Sequence, residues 1–375
     1  MSNKIISVIT SLIIIFIMIL FIFSDKQKFS YNENRYLQEL PQFSFDKLVN
    51  NEYLDKLSKY LEDQFPYRNN LINIKTNTLL TLNFKEVNNV FINKKYLIEK
   101  YTLPKKTEKL IKKLNSIKEE IDSNIEIMLV PTSVSIYDEY IPKFYVNKQI
   151  ETMNYIYDNI DIDYINIYDI LKQNKDNYQL YYYTDHHWTI YGAYLGYISY
   201  CKKNNIKYYD LNDFKITKVN DEFKGTLYSK VLKNTLNDSI YRVDMDGMEY
   251  KLKYIDHTTN TLYDDKYLNE KDKYSYYLSN NSSIIEIETN IKNNEELLII
   301  KDSYANSLIP FLVNHYKKIT IIDPRYYKSS IINYVKENNI KNILFVYNMN
   351  TIDEDAGIYT IDWFCLEKIK RFWYY

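Results

Sequence analysis

The sequence predicts an α/β fold with a central, mainly parallel β-sheet between helices, preceded by an apolar N-terminal helix. Strand-length apolar runs alternate with helical patterns from about residue 110 and again after residue 297, which is typical of a doubly wound sheet. These runs are continuously apolar, as expected of parallel strands that are covered on both faces. Polar residues follow several of the runs directly, so the strands are expected to end at a functional crevice.

The N-terminal helix is predicted from Ile5–Phe23, which is apolar except for Ser7, Thr10 and Ser11. A helix of this length measures roughly 28 Å, close to the thickness of a hydrocarbon core. Phe21 to Asp25 contains no small-residue cleavage site, and no lipobox cysteine follows. We therefore predict an uncleaved signal anchor over residues 1–24, which leaves the polar remainder outside the cytoplasm in a single-pass cell-membrane protein.

Residues 25–44 are predicted to be a linker and 45–375 one large domain. Its first part is predicted to hold a helical pair, with Asn51 as N-cap and Pro66 at the break, and then a hairpin. The predicted elements of the sheet and its helices are a helix at Leu110–Ile121, a strand at Ile125–Val130, a helix over 148–158, a strand at Tyr164–Tyr168, a helix at Trp188–Tyr200, and strands at Leu297–Ile300, Ile319–Ile322 and Ile343–Tyr347. Residues 206–293 read as an irregular, β-rich insertion.

Composition excludes several classes of function. The net charge is −1 and the basic residues are dispersed, so no nucleic-acid partner is predicted. Cys201 and Cys365 are the two cysteines; they are too few for a disulfide framework or a four-cysteine zinc site. No cofactor and no metal are predicted.

The chemistry is predicted to centre on Asp185-His186-His187-Trp188. An acid two residues before a histidine can orient its imidazole and leave the other ring nitrogen free as a base. His187 is the candidate base and Asp185 the acid. Ser303, which follows a predicted strand, is the candidate nucleophile, because a serine hydroxyl attacks a carbonyl only when a base takes its proton.

Ser303, Asp323, Arg325 and Asn348 all follow predicted strands. Parallel strands end at one edge of a sheet, so these side chains are expected to converge. Backbone N–H groups beside Ser303, with Asn348, are the candidate oxyanion donors; Tyr304 and Arg325 are further oxyanion or substrate-binding candidates, and Trp188 is expected to wall the site. Each residue also has an ordinary structural interpretation: Ser303 as a helix N-cap, Asn348 as a turn residue, and Asp185 as the cap of the helix near Trp188.

Asp185-His186-His187-Trp188 resembles the signature of the DHHW protein family and is similar to the Asp-x-His-Trp motif of the SGNH-hydrolase-like alginate O-acetyltransferase group. Further blocks resemble the family, and the resemblance spans residue 31 to the C-terminus. These blocks are Glu33-Asn34-Arg35-x-Leu37, Pro41-x-Phe43, Tyr60-x-x-Asp63-x-Phe65-Pro66-x-Arg68, Met128-Leu129-Val130-Pro131-Thr132 and Gly225-Thr226-Leu227-Tyr228-Ser229-Lys230.

The resemblance implies a three-layer α/β/α domain with a circularly permuted order, in which the acid and base precede the serine. It implies a triad of Ser303, His187 and Asp185, a cell-surface polysaccharide as acetyl acceptor and a membrane-bound acyltransferase as donor partner. The chain differs from SGNH enzymes in two respects. No glycine lies close before Ser303, and no glycine near Asp323 corresponds to the glycine of the second conserved SGNH sequence block. The expected function is serine-dependent O-acetyl transfer, or acetyl-ester hydrolysis, through an acyl-serine.

Two alternatives stay open at this point. A DHH-type metal phosphoesterase shares the Asp-His-His triplet but needs further Asp and His ligands, and only His257 and His315 remain. A catalytically inactive polysaccharide-binding or envelope-assembly scaffold is the second alternative, because a fold does not fix a function.

Overall fold

The computed structural model describes residues 3–30, 35–233, 236–354 and 357–361. Glu33 and Asn34 of the family-like entry block, and Cys365, lie outside the described residues. The chain divides into two compact units, one of Met1–Asn88 with Tyr228–Asn234 and one of Asn89–Leu227 with Thr235–Tyr375. The domain boundaries predicted at residues 24 and 44 fall inside the first unit, and they stay predictions.

The first unit is mainly helical. Its elements are α1 (Asn3–Phe23), β1 (Phe29–Ser30), β2 (Arg35–Tyr36), α2 (Phe45–Val49), α3 (Glu52–Asp63), α4 (Arg68–Thr81) and β3 (Glu86–Val87). The predicted apolar helix is confirmed as α1, which has a mean hydropathy of 3.2 over its most apolar stretch, has no buried residue, and is long enough to cross a membrane.

The predicted helical pair is confirmed as α3 and α4. Its polar contacts centre on Asp63, which accepts two hydrogen bonds from the Arg35 guanidinium, at 2.8 and 2.6 Å, and one from the backbone N–H of Gln38. Asn51 occupies the N-cap position of α3 as predicted, but its φ is 61° and its side chain makes no capping hydrogen bond.

The second unit holds the remaining elements. They are β4 (Val90–Ile92), β5 (Leu97–Glu99), α5 (Thr107–Glu120), β6 (Asn124–Val130), α6 (Ser133–Ile136), α7 (Gln149–Asn159), β7 (Asp163–Tyr164), α8 (Tyr168–Asn174), α9 (Ile190–Lys203), β8 (Lys215–Phe223), α10 (Thr226–Val231, which ends in the first unit), β9 (Asp238–Asp244), β10 (Tyr250–Lys253), β11 (Thr258–Thr259), β12 (Ile284–Thr289), β13 (Glu296–Lys301), α11 (Ile309–Leu312), β14 (Lys318–Ile322), α12 (Ile331–Glu337), β15 (Asn342–Asn348) and α13 (Thr351–Glu354).

The central sheet has eight strands in the order β11-β10-β12-β14-β13-β15-β6-β7. The five strands from β14 to β7 pair in parallel, whereas β12, β10 and β11 extend one edge in antiparallel pairing. Strands β6, β13, β14 and β15 are buried along most of their length, which explains their continuously apolar sequences. The predicted α/β fold with a mostly parallel sheet is confirmed.

Helices cover both faces of this sheet. The chain moves one way along the strand order from β13 to β14 and the other way from β14 to β15 and from β6 to β7. Because parallel crossovers are right-handed, α11 lies on one face, and α12 and α7 lie on the other. Helix α9 packs against α11 and α5 packs against α7, so a helical layer forms on each side.

One sequence prediction needs correction. The strand expected at Tyr164–Tyr168 ends at Tyr164, because the Asn166 side chain accepts a hydrogen bond from the Tyr168 N–H at the start of α8. The region predicted as a β-rich insertion, 206–293, contains the five strands β8 to β12. Its strands β10, β11 and β12 extend the central sheet, while β8 and β9 form a hairpin of their own.

Strands β13, β14 and β15 end at Lys301, Ile322 and Asn348. Because these neighbours run in parallel, their carboxyl ends lie at one edge of the sheet. Ser303 begins a short 3₁₀-helix, Ser303–Ser307, directly after β13. The edge that the sequence predicted for the site is therefore the edge where Ser303 lies.

Candidate active site

Ser303, His187 and Asp185 form a continuous chain of hydrogen bonds. Ser303 Oγ lies 2.8 Å from His187 Nε2, and His187 Nδ1 lies 2.6 Å from Asp185 Oδ1. The two distances are those of short, well-formed hydrogen bonds. With the proton on Nδ1 directed to Asp185, Nε2 is left to accept the proton of the Ser303 hydroxyl. The three residues that the sequence singled out are thus brought together.

The carboxylate of Asp185 is fixed from both sides. Oδ1 also accepts the backbone N–H of His187 at 2.9 Å, and Oδ2 accepts the backbone N–H of Thr226 at 2.8 Å and its hydroxyl at 3.1 Å. Burial opposes ionisation of Asp185, but the two neighbouring imidazoles and these hydrogen bonds together hold its pKa well below the usual range. Asp185 is therefore an ionised group whose donors hold it against the histidine.

Gly225 makes this arrangement possible. A Cβ at position 225 would lie 2.2 Å from both Cβ and Oδ2 of Asp185, a separation that no packed side chain can adopt. The backbone of the Gly225-Thr226 segment can approach the acid only because glycine has no side chain there. This segment begins one of the family-like blocks of the sequence.

A second buried carboxylate, Asp238, holds the loop that carries Asp185. It accepts hydrogen bonds from the backbone N–H groups of Tyr183 and Thr184, from the Thr184 hydroxyl and from the Gln179 amide, all between 2.6 and 2.9 Å. Burial raises the pKa of Asp238 to about 6, although its donors act in the opposite direction. Asp238 lies on β9, so the insertion helps to position the acid.

The imidazole of His187 is enclosed by two rings. The Tyr274 ring stacks on it with centroids 3.7 Å apart and planes 9° from parallel, and the His186 ring lies 3.8 Å away. Burial lowers the pKa of His187 to about 4; His186 and Arg325 act in the same direction, and Asp185 opposes them. A neutral imidazole at neutral pH is the form that can act as a base.

His186 is the half-exposed member of the pair. Its Nδ1 lies 2.7 Å from the Thr226 hydroxyl and 3.6 Å from Asp185 Oδ1. Because Ser303 contacts His187 and not His186, the choice of His187 as the base agrees with the geometry. His186 instead borders the crevice beside the histidine that would carry the proton.

Asp302 organises the serine loop. One carboxylate oxygen accepts the backbone N–H of Tyr304 at 2.8 Å, which makes Asp302, and not Ser303, the N-cap of the 3₁₀-helix. The other oxygen accepts the backbone and side-chain N–H groups of Asn348 and the hydroxyl of Thr351, each at 2.7 Å. Thr189, and not Asp185, caps α9. The N-cap interpretations of Ser303 and Asp185 are therefore wrong.

Two sequence-predicted contact residues are buried and serve as internal supports. Trp188 is fully buried, and its indole N–H donates to the Tyr304 carbonyl at 2.8 Å. Tyr304 is also fully buried, and its hydroxyl donates to the His186 carbonyl. The expectation that Trp188 walls the crevice or that Tyr304 binds substrate is not supported, because neither side chain reaches solvent. Their hydrogen bonds tie the histidine loop to the serine loop.

The oxyanion donors also differ from those expected. Both amide hydrogens of Asn348 have acceptors, Asp302 and Thr351, and the Tyr304 N–H is taken by Asp302. In this arrangement neither group is free to bind an oxyanion. Within the described residues, the backbone N–H of Ser303 donates no hydrogen bond, which leaves it available to the reacting group.

Arg325 is positioned by Asp323, to which it donates two hydrogen bonds of 2.8 and 2.6 Å. Asp323 also lies 3.6 Å from the ammonium group of Lys301, which is fully buried and donates to Asn281. Burial lowers the pKa of Lys301 to about 8, against the effect of Asp323. The Arg325 charge also acts to lower the pKa of His187, after burial and His186.

Asp185, His186 and His187 also meet the simplest requirement for a metal site, since one ligand atom from each lies within 4.8 Å of the others. The potential ligand atoms are already engaged in hydrogen bonds: His187 Nδ1 faces Asp185, and both carboxylate oxygens of Asp185 accept N–H donors. Of the other two histidines, His257 pairs with Asp256 and His315 with Tyr197. The arrangement fits proton transfer between Ser303 and His187 better than cation binding.

Sequence reasoning missed three contributors to the site. Tyr274 is one of 42 tyrosines, and no local pattern marks it. Asp302 directly precedes the serine and has no role among the sequence predictions, although an acid before a helix start is an N-cap signal. Asp238 lies in the irregular insertion, where the sequence gives no sign of its contact with the histidine loop.

Comparison with known proteins supplies a family and a fold. A family model described as DHHW protein matches residues 109–322, more than half of the chain. The structure is similar to the crystal structure of a DHHW family protein from Eubacterium siraeum, with 23% identity and a TM-score of 0.65 over 73% of this chain and 95% of that one. It is also similar to Bacillus cereus PatB1 solved with a sulfonyl adduct, with 21% identity and a TM-score of 0.62 over 73% of this chain and 98% of that one.

A third structure, the O-acetyltransferase domain of Pseudomonas putida AlgJ, is 12% identical, with a TM-score of 0.44 over 71% of this chain and 92% of that one. No curated protein sequence matches the chain. The likeness to the E. siraeum protein and to PatB1 indicates a shared fold, which covers nearly the whole length of those two structures and 73% of this chain.

Proposed function

The chain belongs to the DHHW protein family, and from that premise we propose that it is an extracytoplasmic, membrane-anchored, serine-dependent O-acetyltransferase acting on a cell-surface polysaccharide. The observation that carries the proposal is the chain of hydrogen bonds from Ser303 through His187 to Asp185, at 2.8 and 2.6 Å. That arrangement is the one needed to turn a serine hydroxyl into a nucleophile.

The first half-reaction loads the serine. His187 Nε2 takes the proton from Ser303 Oγ as this oxygen attacks the carbonyl carbon of an acetyl ester donor. The tetrahedral intermediate collapses when the donor's leaving group departs with the proton from His187, and an acetyl group remains on Ser303. Asp185 keeps the imidazole in the required tautomer and stabilises the positive charge that it gains in the transition state.

The second half-reaction passes the acetyl group to the acceptor. A sugar hydroxyl loses its proton to His187 Nε2 and attacks the acetyl carbon, and Ser303 Oγ then leaves and recovers that proton. Where water replaces the sugar, the same steps hydrolyse the ester, so acetylesterase activity is the side reaction of this site. The acceptor's class is proposed from the resemblance of Asp185-His186-His187-Trp188 to the polysaccharide O-acetyltransferase motif.

The backbone N–H of Ser303 is the proposed oxyanion donor, supported by its lack of an acceptor among the described residues. The positive charge of Arg325, fixed by Asp323, favours the negative charge that develops on the carbonyl oxygen. Asn348 and Tyr304 contribute indirectly, because their hydrogen bonds to Asp302 hold the serine loop in place.

The proposed location follows from α1. Its 21 residues, most of them apolar and exposed, support a single membrane span that is kept in the mature protein, with the catalytic unit outside the cytoplasm. A membrane-bound acyltransferase that passes the acetyl group across the membrane is the proposed donor partner. The order acid, base, serine along the chain agrees with a circular permutation of the SGNH arrangement, which we propose as its origin.

The test is an activity-based probe. A fluorophosphonate is expected to label the wild-type protein and the exposed-serine control Ser329→Ala, and to leave Ser303→Ala unlabelled. The wild type is expected to release acetate from p-nitrophenyl acetate, to do so unchanged in the presence of a metal chelator, and to transfer acetyl groups to surface oligosaccharides. Equal labelling of Ser303→Ala, or no acetate release by the wild type, would favour the inactive scaffold; loss of activity with chelator would favour a metal enzyme.

A further inference from the structure

Helix α3 is strongly amphipathic. Its apolar side chains are Tyr53, Leu54, Leu57, Tyr60 and Leu61. At ~100° per residue these five positions occupy an arc about 120° wide, and the rest of the helix surface carries only polar and charged residues. In a globular protein a stripe of this kind packs against a core.

Within the described residues, the stripe of α3 does not join the hydrophobic core. Asp63 is the buried residue of α3, and Arg35 pairs with it. Leu54 and Leu61 keep 48% and 46% of their surface exposed, and the other three stripe residues are half-buried. The apolar stripe is therefore only partly covered. Exposing an apolar stripe costs free energy in water, so the face is expected to have an occupant.

The apolar surface continues beyond α3. The ring of Phe43 contacts the ring of Tyr53 edge-on, with centroids 5.3 Å apart. Phe45 and Val49, at the two ends of α2, are 70% and 66% exposed, and no residue of α2 is buried. We use the term apolar face for the five stripe residues of α3 together with Phe43, Phe45 and Val49. A continuous patch of this kind marks an interaction surface.

The apolar face meets the end of α1. The ring of Tyr60, a stripe residue, contacts Phe21 in the last turn of α1 with centroids 5.9 Å apart. Just beyond α1, the backbone of Gln27 exchanges two hydrogen bonds of 3.0 and 2.9 Å with the Gln64 side chain at the end of α3. Leu20 of α1 and Asp63 of α3 both line one cavity of about 490 Å³. The C-terminal end of the stripe therefore lies beside the end of α1.

We propose that the apolar face lies in the interfacial layer of the membrane that α1 crosses, with its side chains inserted roughly 5–10 Å into the headgroup and acyl-chain boundary. The inference rests on the proposed membrane anchoring by α1. Because Tyr60 touches the last turn of that helix, the C-terminal end of the stripe lies close to the level where α1 leaves the bilayer. The occupant is lipid, since the apolar face is continuous with the lipid-facing surface of α1.

The charge on the opposite side of α3 indicates which lipids are recognised. That side carries both signs, with Glu52, Asp55 and Glu62 beside Lys56 and Lys59, and Lys56 pairs with Glu52 at 2.7 Å. A basic face is what drives selective binding to anionic lipids. The mixed face gives no such preference, so insertion is expected in zwitterionic bilayers and is expected to change little with salt concentration.

The experiment uses the full-length chain with Cys365→Ser, keeping the fully buried Cys201, reconstituted in phosphatidylcholine nanodiscs. Single cysteines replace Leu54, Leu61, Lys59 or Ile14, and each carries a spin label. The ratio of collision with oxygen, which partitions into lipid, to collision with a water-soluble nickel complex reports depth. Leu54→Cys and Leu61→Cys are expected to give a ratio severalfold higher than Lys59→Cys, the matched control from the polar side of the same helix.

The label at Ile14→Cys distinguishes failure of the interfacial surface from failure of the proposed membrane anchor. A deep label at Ile14 with aqueous labels at Leu54 and Leu61 would overturn the interfacial surface while leaving the anchor intact, whereas an aqueous label at Ile14 would overturn both. Labels at Leu54 and Leu61 that are aqueous in nanodiscs but shielded from both reagents in native membranes would show that a protein covers the apolar face, which contradicts lipid as the occupant.

Discussion

The ring of Tyr274 lies flat on the imidazole of His187, with centroids 3.7 Å apart and planes 9° from parallel. The Tyr274 hydroxyl donates to the Ser303 carbonyl at 3.1 Å and also lies 3.2 Å from Ser307 Oγ. One side chain from the insertion thus touches both the proposed base and the loop of the proposed nucleophile. Its ring restricts the imidazole rotamer, and its hydroxyl restricts the serine loop.

Substitutions of Tyr274 are expected to separate these two roles. Tyr274→Phe keeps the stacked ring and loses only the hydroxyl that contacts the serine loop, so its kcat/KM is expected to fall less than that of Tyr274→Leu. Tyr274→Leu loses the ring, and kcat/KM is expected to fall about 2- to 10-fold, as the loss of an aromatic pair worth ~0.5–1.5 kcal/mol implies. The acid limb of the Tyr274→Leu pH profile is expected to shift upward, because His187 becomes less buried. Identical kinetics in the two variants would mean that the stack does not position the base.

The pH profile of the wild type follows from the pKa of His187, which burial lowers to about 4. His187 acts as a base only when neutral, so activity is expected to stay constant from neutral pH down to about pH 5 and to fall below about pH 4. The folded protein also binds fewer protons than the unfolded chain between about pH 4 and pH 6.5, so this group's contribution to stability decreases as the pH falls through that range. Initial rates of acetate release against pH test this; a midpoint near 6.5 would contradict it.

Gly225→Ala is expected to disturb the acid without touching the other two residues. The new Cβ would lie 2.2 Å from Asp185 Oδ2, so either the carboxylate or the Gly225 backbone must move, at a cost of about 1–3 kcal/mol. A misplaced Asp185 is expected to reduce kcat more than it changes KM. Gly247→Ala is the control, because a Cβ there meets no atom within 4 Å although its φ is +79°; it is expected to cost about 1–2 kcal/mol in strain and to leave kcat unchanged.

Asp302→Asn is expected to loosen the serine loop. The carboxylate accepts four hydrogen bonds from Tyr304, Asn348 and Thr351, and an amide would direct N–H groups at some of these donors. The loss is expected to be about 2–3 kcal/mol in the free energy of unfolding, measured by urea denaturation, with slower fluorophosphonate labelling of Ser303. Asp246→Asn, at an exposed position, is the control; equal stability of the two variants would contradict the role given to Asp302.

The strands with continuously apolar sequences and the histidines next to an acid could be predicted from the sequence. Strands β6, β13, β14 and β15 are continuously apolar because helices cover both faces of the sheet. Two of the chain's four histidines stand next to an acid in one short segment. From these facts, and from the rule that parallel strands end at one edge, the meeting of Ser303 with His187 could be predicted across 116 residues.

The roles of several site residues and the exposure of α3 could not be predicted, because they depend on contacts between residues far apart in the sequence. Asn348 was expected to face an oxyanion, but the parallel pairing of β13 with β15 brings it to Asp302, whose carboxylate takes its N–H groups. Tyr304 and Trp188 were expected at the crevice and are buried, because their polar atoms bridge two loops. The periodicity of α3 indicated an amphipathic helix, but only the structure reveals that its apolar side is left partly exposed, at Leu54 and Leu61.

The most direct test of the proposed mechanism is to trap the acyl-enzyme. The full-length protein is mixed with p-nitrophenyl acetate, quenched in acid within the first turnover, and digested for peptide mass spectrometry. One acetyl group on the peptide that contains Ser303 is expected, absent from Ser303→Ala and lost on incubation with an acceptor oligosaccharide before the quench. An unmodified Ser303 during active turnover, or an acetyl group on a different residue, would contradict the account.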